Sequence, residues 1–197
     1  MAEEIRELGV VGAGFMGSGI AESAARAGIT VKLYEPEDGP LQQSRGRIES
    51  SVARVVERGR LSEEDAAALV ERIAWSTDLE SLSGAELVVE AIVEDEQVKA
   101  RTFKDLDAVL APEAILASNT SSIPIAGLAA ATGRPDRVLG LHFFSPVPVM
   151  KLVEVVVALD TSEQTVARAS GFAAQIGKTA IKTKDRSGFI VNFLLVP

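Results

Sequence analysis

No cysteine occurs in the 197 residues, and histidine occurs once, at position 142. The first absence excludes disulfides, thiolate zinc sites and a cysteine nucleophile. With a lone histidine added, a catalytic zinc site has too few ligands, so no metal is expected. Basic residues are outnumbered, 20 Lys and Arg against 28 Asp and Glu, for a formal charge of −8. No basic tract survives against that background, which argues against a nucleic-acid partner. No apolar run approaches membrane-spanning length, and the N-terminus MAEEIREL is acidic where an export signal would be basic. A cytoplasmic protein without a membrane partner is therefore expected. Internal repeats and low-complexity linkers are also missing, and with 47% hydrophobic residues the chain can bury one sizeable core.

What is present starts at residues 8–11, an apolar run that meets Gly12, Gly14 and Gly17 in the spacing G-x-G-x-x-G before a helix-compatible stretch over 16–27. Gly12 suits a sharp turn, Gly14 lets backbone approach a pyrophosphate, and Gly17 lets helix lie close on strand. The helix N-terminus then presents free N–H groups and a positive dipole end to two phosphates. Residues 30–34 (TVKLY) read as a second strand that stops at Glu35. An acid about 20 residues beyond the glycines is where a dinucleotide fold holds the adenosine ribose hydroxyls. Glu37 and Asp38 follow at once and would repel a ribose 2′-phosphate, so the pattern favours NAD over NADP.

A charged helical stretch runs past Pro40 to Arg60, and a second opens at Ser62, where Ser62 and Asp65 form a capping pattern. Strand-like runs recur at 73–75, 87–89, 115–117 and 138–142, with a helical pattern over 95–110 that repeats Phe103, Leu106 and Leu110. Alternating strands and helices imply parallel strands with helices on both faces, whose ligands bind beyond the strands' carboxyl ends. Three of the loops there are unusual. SNTSS (118–122) reads equally well as a helix cap before Pro124 or as a reaction-site loop. Glu90 and Glu94 read as an acid pair at a helix start. His142 is followed by FFSPVPVM, an extended turn, after which KLVEVV returns as a strand containing Glu154. A carboxylate among strand valines needs a partner, and Glu154 could reach His142 across the turn. A carboxylate on one ring nitrogen fixes the tautomer and leaves the other nitrogen free to take a proton from an alcohol.

These segments together resemble the NAD-dependent 3-hydroxyacyl-CoA dehydrogenases, and within them the bacterial 3-hydroxybutyryl-CoA members. The resemblance rests on VVGAGFMGSGIA, VVEAIVEDEQVK, ASNTSSIPI, LHFFSPVPVMKLVEVV and SGFIVNFLLVP, in that order, from Leu8 to the last residue. It implies reversible oxidation of an (S)-3-hydroxyacyl-CoA by NAD. His142 is implied as the general base and Glu154 as its partner. Ser121 is implied at the substrate hydroxyl, and Asn192 at the thioester end. On the cofactor side it implies the glycine loop with Phe15 and Met16, then Glu35, Glu94, Lys99, Ser121 and Ser145. Ser51 and Arg58 fall where a serine and a basic residue contact CoA. On that helix Arg47, Ser51, Arg54 and Arg58 share one face, and Ile48, Val52 and Val55 another.

Ser145, Arg186-Ser187 and Phe193 depart from the family pattern at an asparagine, a Thr-Pro pair and an arginine. The fold expected is α/β, a Rossmann-type doubly wound, mostly parallel sheet over residues 1–186. Residues 187–197 are expected to start an all-helical C-terminal domain, which in the family supplies a dimer interface. Residues 189–196 are apolar nearly all round, so as a helix they are expected to need cover on every side. A fragment of this kind should bind NAD, turn over slowly if at all, and tend to self-associate. Rival dehydrogenases that share the glycine motif need a cysteine, which is absent, or a lysine in a glycine-rich helix, which Lys178 in QIGKTA does not match. A non-catalytic NAD-binding relative and a sugar-acid dehydrogenase are the alternatives. His142, Glu154 and Ser121 occurring together favour an enzyme.

Overall fold

The computed structural model describes residues 3–186 and 189–191. The apolar runs become strands β1 (Glu7–Val11), β2 (Thr30–Tyr34), β3 (Ile73–Ser76), β4 (Leu87–Glu90), β5 (Ile115–Ser118) and β6 (Val138–Phe143). Two more, β7 (Leu152–Val157) and β8 (Thr179–Lys184), complete one sheet in the order β3-β2-β1-β4-β5-β6-β7-β8. Only the β6–β7 pairing is antiparallel. The order reverses between β1 and β4, which opens a crevice at their carboxyl ends.

Side chains alternate along each strand, so the strands feed two cores. Leu8, Val10, Leu87, Val89, Leu139 and Leu141 point to one face, where α1 (Phe15–Arg26), α2 (Asp38–Glu57), α3 (Glu63–Glu71) and α6 (Glu163–Gln175) contribute Ile20, Ile48, Leu69 and Phe172. Val11, Val88, Leu116 and Val138 point to the other, against Phe103 and Leu106 of α4 (Glu96–Val109) and Leu128 of α5 (Ile125–Ala129). Helix α1 fits closely because Ala21, Ala24 and Ala25 are wholly buried and add little bulk.

Several local expectations are corrected. Helix α2 starts ahead of Pro40, which sits in the first turn, where a missing N–H costs no helical hydrogen bond. It ends at Glu57, and Gly59 at φ +66 turns the chain away. Ser62 does cap α3, its Oγ accepting from the Asp65 amide at 3.0 Å. Neither Glu90 nor Glu94 caps α4; Asp95 does, accepting from the Val98 amide at 2.9 Å. Neither Ser121 nor Ser122 caps α5 either. The Asp185 carboxylate accepts from the Ile125 and Ala126 amides at 3.0 and 2.8 Å. Helix α6, capped by Ser162 and burying Val166, Ala169, Phe172 and Ala173 at helical spacing, adds to the elements expected; TAIKTK of β8 is a largely exposed edge strand. Among the described residues no helix is long and apolar enough to cross a membrane.

Candidate active site

The glycines divide the work of the first turn. Gly12 takes φ +103, and its N–H donates to Tyr34 O at 2.9 Å; a Cβ there would lie 2.6 Å from Ala91 O. A Cβ on Gly17 would lie 1.9 Å from Gly12 O, so only glycine lets α1 approach its own turn this closely. At Gly14, the N-cap of α1, a Cβ would meet nothing within 4 Å, leaving the helix N-terminus open to an incoming group. Glu35 follows β2 and accepts from the Ala13 amide at 3.0 Å, which sets its carboxylate beside the glycine loop. These features fit a dinucleotide: open backbone donors for a pyrophosphate and an acid within reach of a ribose. Met16 packs against the core, whereas Phe15 is exposed on the rim. Arg47 lies on the face of α2 that carries Ser51, Arg54 and Arg58, as expected, but its guanidinium is engaged elsewhere. It reaches the glycine loop, donating to Ala13 O and, at 3.3 Å, to Ser18 Oγ.

At the next strand ends lies a polar network. Glu90 is fully buried and accepts from Ile92 N (2.8 Å), Lys99 Nζ (2.5 Å) and Ser118 Oγ (2.7 Å). Lys99, expected at the cofactor surface, lies one layer deeper; it is 1% exposed and also pairs with Glu94 at 3.3 Å. Glu94 gathers the SNTSS loop, accepting from the Thr120 hydroxyl, the Ser121 amide at 2.9 Å and the Ser122 hydroxyl at 3.1 Å. Burial pushes the Glu94 carboxyl up. The Thr120 hydroxyl, Ser121 amide, Lys99 ammonium and Ser122 hydroxyl outweigh it and hold the group below the ordinary carboxylate range.

A carboxyl lowered on folding contributes stability that is complete above its unfolded pKa and is lost as pH falls through the folded one. Thr120→Val should therefore be less stable at neutral pH, lose less stability on acidification, and finish its acid decline at a higher pH. Chemical denaturation across the acid range measures this, and curves that superimpose on wild type would contradict it.

His142 and Glu154 face each other in the antiparallel register of β6 and β7, so their side chains leave the same face. Nδ1 lies 2.7 Å from Glu154 Oε2. The histidine side chain is 8% exposed, under Phe144 (ring centroids 4.6 Å) and Phe189 (5.6 Å). Among the described residues nothing hydrogen-bonds Nε2. Glu154 is 1% exposed, and its other oxygen accepts from the Ile190 and Val191 amides at 3.0 and 2.9 Å. Asn119, unmarked in the sequence although it lies in SNTSS, accepts from the Phe143 amide at 2.9 Å and ties that loop to the strand carrying His142. Ser145 is exposed on the following turn, before a cis Ser145–Pro146 bond. Asn192, Ser187, Phe193 and the apolar stretch 192–196 lie outside the described residues.

Beside α1 and α2 opens a pocket of about 950 Å³, lined by Phe15, Ser51, Arg54, Arg58, Pro148 and Val149 among others. Val55 lines it too, so the helix face divides differently from the sequence expectation. Arg26 is engaged by Glu22 at 2.7 Å, while Arg54, Arg58 and Arg60 are exposed and have no ion-pair partner among the described residues. The opposite wall is held by Lys178, which donates to Val147 O at 2.6 Å and Met150 O at 2.8 Å; burial pushes its ammonium below the usual lysine range. The pocket thus joins fixed positive charge to an apolar lip, a shape suited to a ligand with phosphates at one end.

The chain is similar to several known proteins. The family model for the 3-hydroxyacyl-CoA dehydrogenase NAD-binding domain matches residues 7–186. A 3-hydroxybutyryl-CoA dehydrogenase of Mycobacterium tuberculosis is 51% identical over 199 residues, covering 100% of this chain and 70% of its own length. A probable 3-hydroxybutyryl-CoA dehydrogenase of Bacillus subtilis is 45% identical, covering 98% of this chain and 68% of its own. The crystal structure of M. tuberculosis FadB2 superposes with a TM-score of 0.97 at 51% identity, covering 99% of this chain and 69% of that one.

Proposed function

Because the chain belongs to the 3-hydroxyacyl-CoA dehydrogenase family and carries its NAD-binding domain, we propose that it oxidises a short-chain (S)-3-hydroxyacyl-CoA with His142 as general base. NAD dependence and the 3-hydroxyacyl-CoA substrate class come with the family. The short acyl chain is carried over from relatives named for 3-hydroxybutyryl-CoA. The observation that best supports the role of His142 is its 2.7 Å contact to Glu154 at the sheet's carboxyl rim.

When bound, the nicotinamide supplies a hydride acceptor. The protein's part is to take a proton at a fixed place. Glu154 accepts the Nδ1 proton, so the neutral ring presents its lone pair at Nε2, which receives the substrate hydroxyl proton as the carbon–hydrogen bond breaks. Ser121, half-buried on the loop gathered by Glu94, offers a hydroxyl to the same substrate oxygen. In the reverse direction the protonated ring returns its Nε2 proton to the forming alcohol. Glu35, with Glu37 and Asp38 beside it, selects the unphosphorylated ribose. Ser51, Arg54 and Arg58 receive the CoA phosphates, and the lip at Pro148 and Val149 takes the apolar arm.

The direct test is to mix the full-length protein with acetoacetyl-CoA and NADH or NADPH and follow nicotinamide absorbance. NADH should be consumed and NADPH spared; no consumption of NADH with any short or medium 3-oxoacyl-CoA would remove the assignment. Reversing both charges, Arg54→Glu with Arg58→Glu, should weaken acyl-CoA binding at least tenfold, since one charge-assisted hydrogen bond contributes about 1.5–3 kcal/mol. NADH affinity should stay within about twofold. Titration calorimetry of each ligand separates the two, and an unchanged acyl-CoA affinity would move the CoA site elsewhere.

A further inference from the structure

Behind the reaction site is a charged pair that the chemistry above does not use. Glu90 is 0% exposed and Lys99 1%, and their charged atoms meet at 2.5 Å. A buried ion pair of this kind gains little over well-packed apolar residues, because desolvation of both charges offsets their attraction. What a fully hydrogen-bonded polar cluster does give is one defined arrangement of the segments that meet in it.

Apart from bonds to the backbone of Ile92, the remaining contacts lead toward the site. From Glu90, Oε2 accepts from Ser118 Oγ, which in turn accepts from the Thr120 amide at 3.2 Å. These two bonds bracket Asn119, whose Oδ1 holds the Phe143 amide, one residue beyond His142. From Lys99 the second arm runs to Glu94, and from Glu94 to the amide and hydroxyl of Ser121 at 2.9 and 3.4 Å. One buried carboxylate therefore lies at the root of two chains of contacts, one ending at the serine loop and the other at the strand end that carries the imidazole.

We propose that Glu90 and Lys99 are positioning residues whose buried pair fixes segment 118–122 and so holds Ser121 and His142 in one mutual geometry. The inference rests on the proposed roles of those two residues, but its test does not depend on turnover. Glu90→Gln keeps size and some hydrogen bonds and removes the charge. By amide hydrogen exchange, the Ser121 and Phe143 amides should then exchange at least tenfold faster. The Ile125 and Ala126 amides, held by Asp185, should be unchanged. Turnover of acetoacetyl-CoA should fall about tenfold, with KM and NADH affinity within threefold.

Wild-type exchange at Ser121 and Phe143 in Glu90→Gln would overturn the proposal, as would equal acceleration at all four amides, which signals general loosening. If Glu90→Gln does not fold, Lys99→Met and Ser118→Ala each cut one arm. The first should speed exchange at Ser121 and the second at Phe143, and failure of either to do so sinks the idea. If the full-length wild-type protein turned over no acyl-CoA, the proposed function would fail while the exchange pattern still decided this point.

Discussion

Replacing His142 by alanine should lower turnover about 10²–10⁴-fold, the usual contribution of a placed general base. NADH affinity should stay within about twofold, because among the described residues the ring's hydrogen bond and ring contacts are to Glu154, Phe144 and Phe189 and none is to the glycine loop. The variant must also be shown to fold. Removing a ring packed between Phe144 and Phe189 leaves a small cavity, for which a loss of about 1–3 kcal/mol is ordinary. Thermal unfolding together with steady-state kinetics distinguishes the two effects. Full turnover in a folded His142→Ala protein would leave the family assignment standing and the mechanism wrong.

Glu154→Gln should approach the same loss by a different route. The carboxylate accepts on both sides: Oε2 faces His142 Nδ1, and Oε1 receives the Ile190 and Val191 amides. An amide has one accepting oxygen and one donating nitrogen. Two N–H groups on one side will claim the oxygen, leaving the NH₂ group to face Nδ1. The ring must then carry its proton on Nε2, where the base needs a lone pair. Turnover should fall about 10²-fold or more, within the range for a misplaced base, with near-native stability and NADH binding. Glu154→Ala should add instability, since each buried amide left without an acceptor costs about 1–3 kcal/mol. Nitrogen NMR of the imidazole reads the tautomer directly, and a Glu154→Gln protein with its proton still on Nδ1 would refute the argument.

The parts of this molecule that could be read from the chain are those whose physics is local. The glycine turn, the strand over 30–34 and the Ser62 cap each depend on neighbours a few residues away, and each stands in the structure as expected. The facing of His142 and Glu154 could be foreseen because a short turn separates them. Other features depend on partners that proximity along the chain does not reveal. Asp185 caps a helix 60 residues earlier, a pairing made only when β8 lies beside β7. Lys99 has the sequence context of a surface cation, and only the packing of α4 on β4 and β5 takes it inside. Arg47 has helical spacing that matches Arg54 and Arg58, yet the proximity of the glycine loop claims its guanidinium. Strand β8 lacks strong patterning because it is largely solvated, whereas helix α6 has a legible pattern, Val166, Ala169, Phe172 and Ala173 at helical spacing behind Ser162.

The two-sided engagement of Glu154 has a thermodynamic corollary. Any influence that draws the backbone at residues 190 and 191 more firmly onto Oε1 also restrains the carboxylate against Nδ1, and the reverse holds with equal free energy. A ligand that prefers the oriented imidazole therefore tightens that backbone turn by as much as the turn improves the ligand's affinity. Docking of the chain beyond β8 and readiness of the proton acceptor are in this way a single equilibrium with two handles.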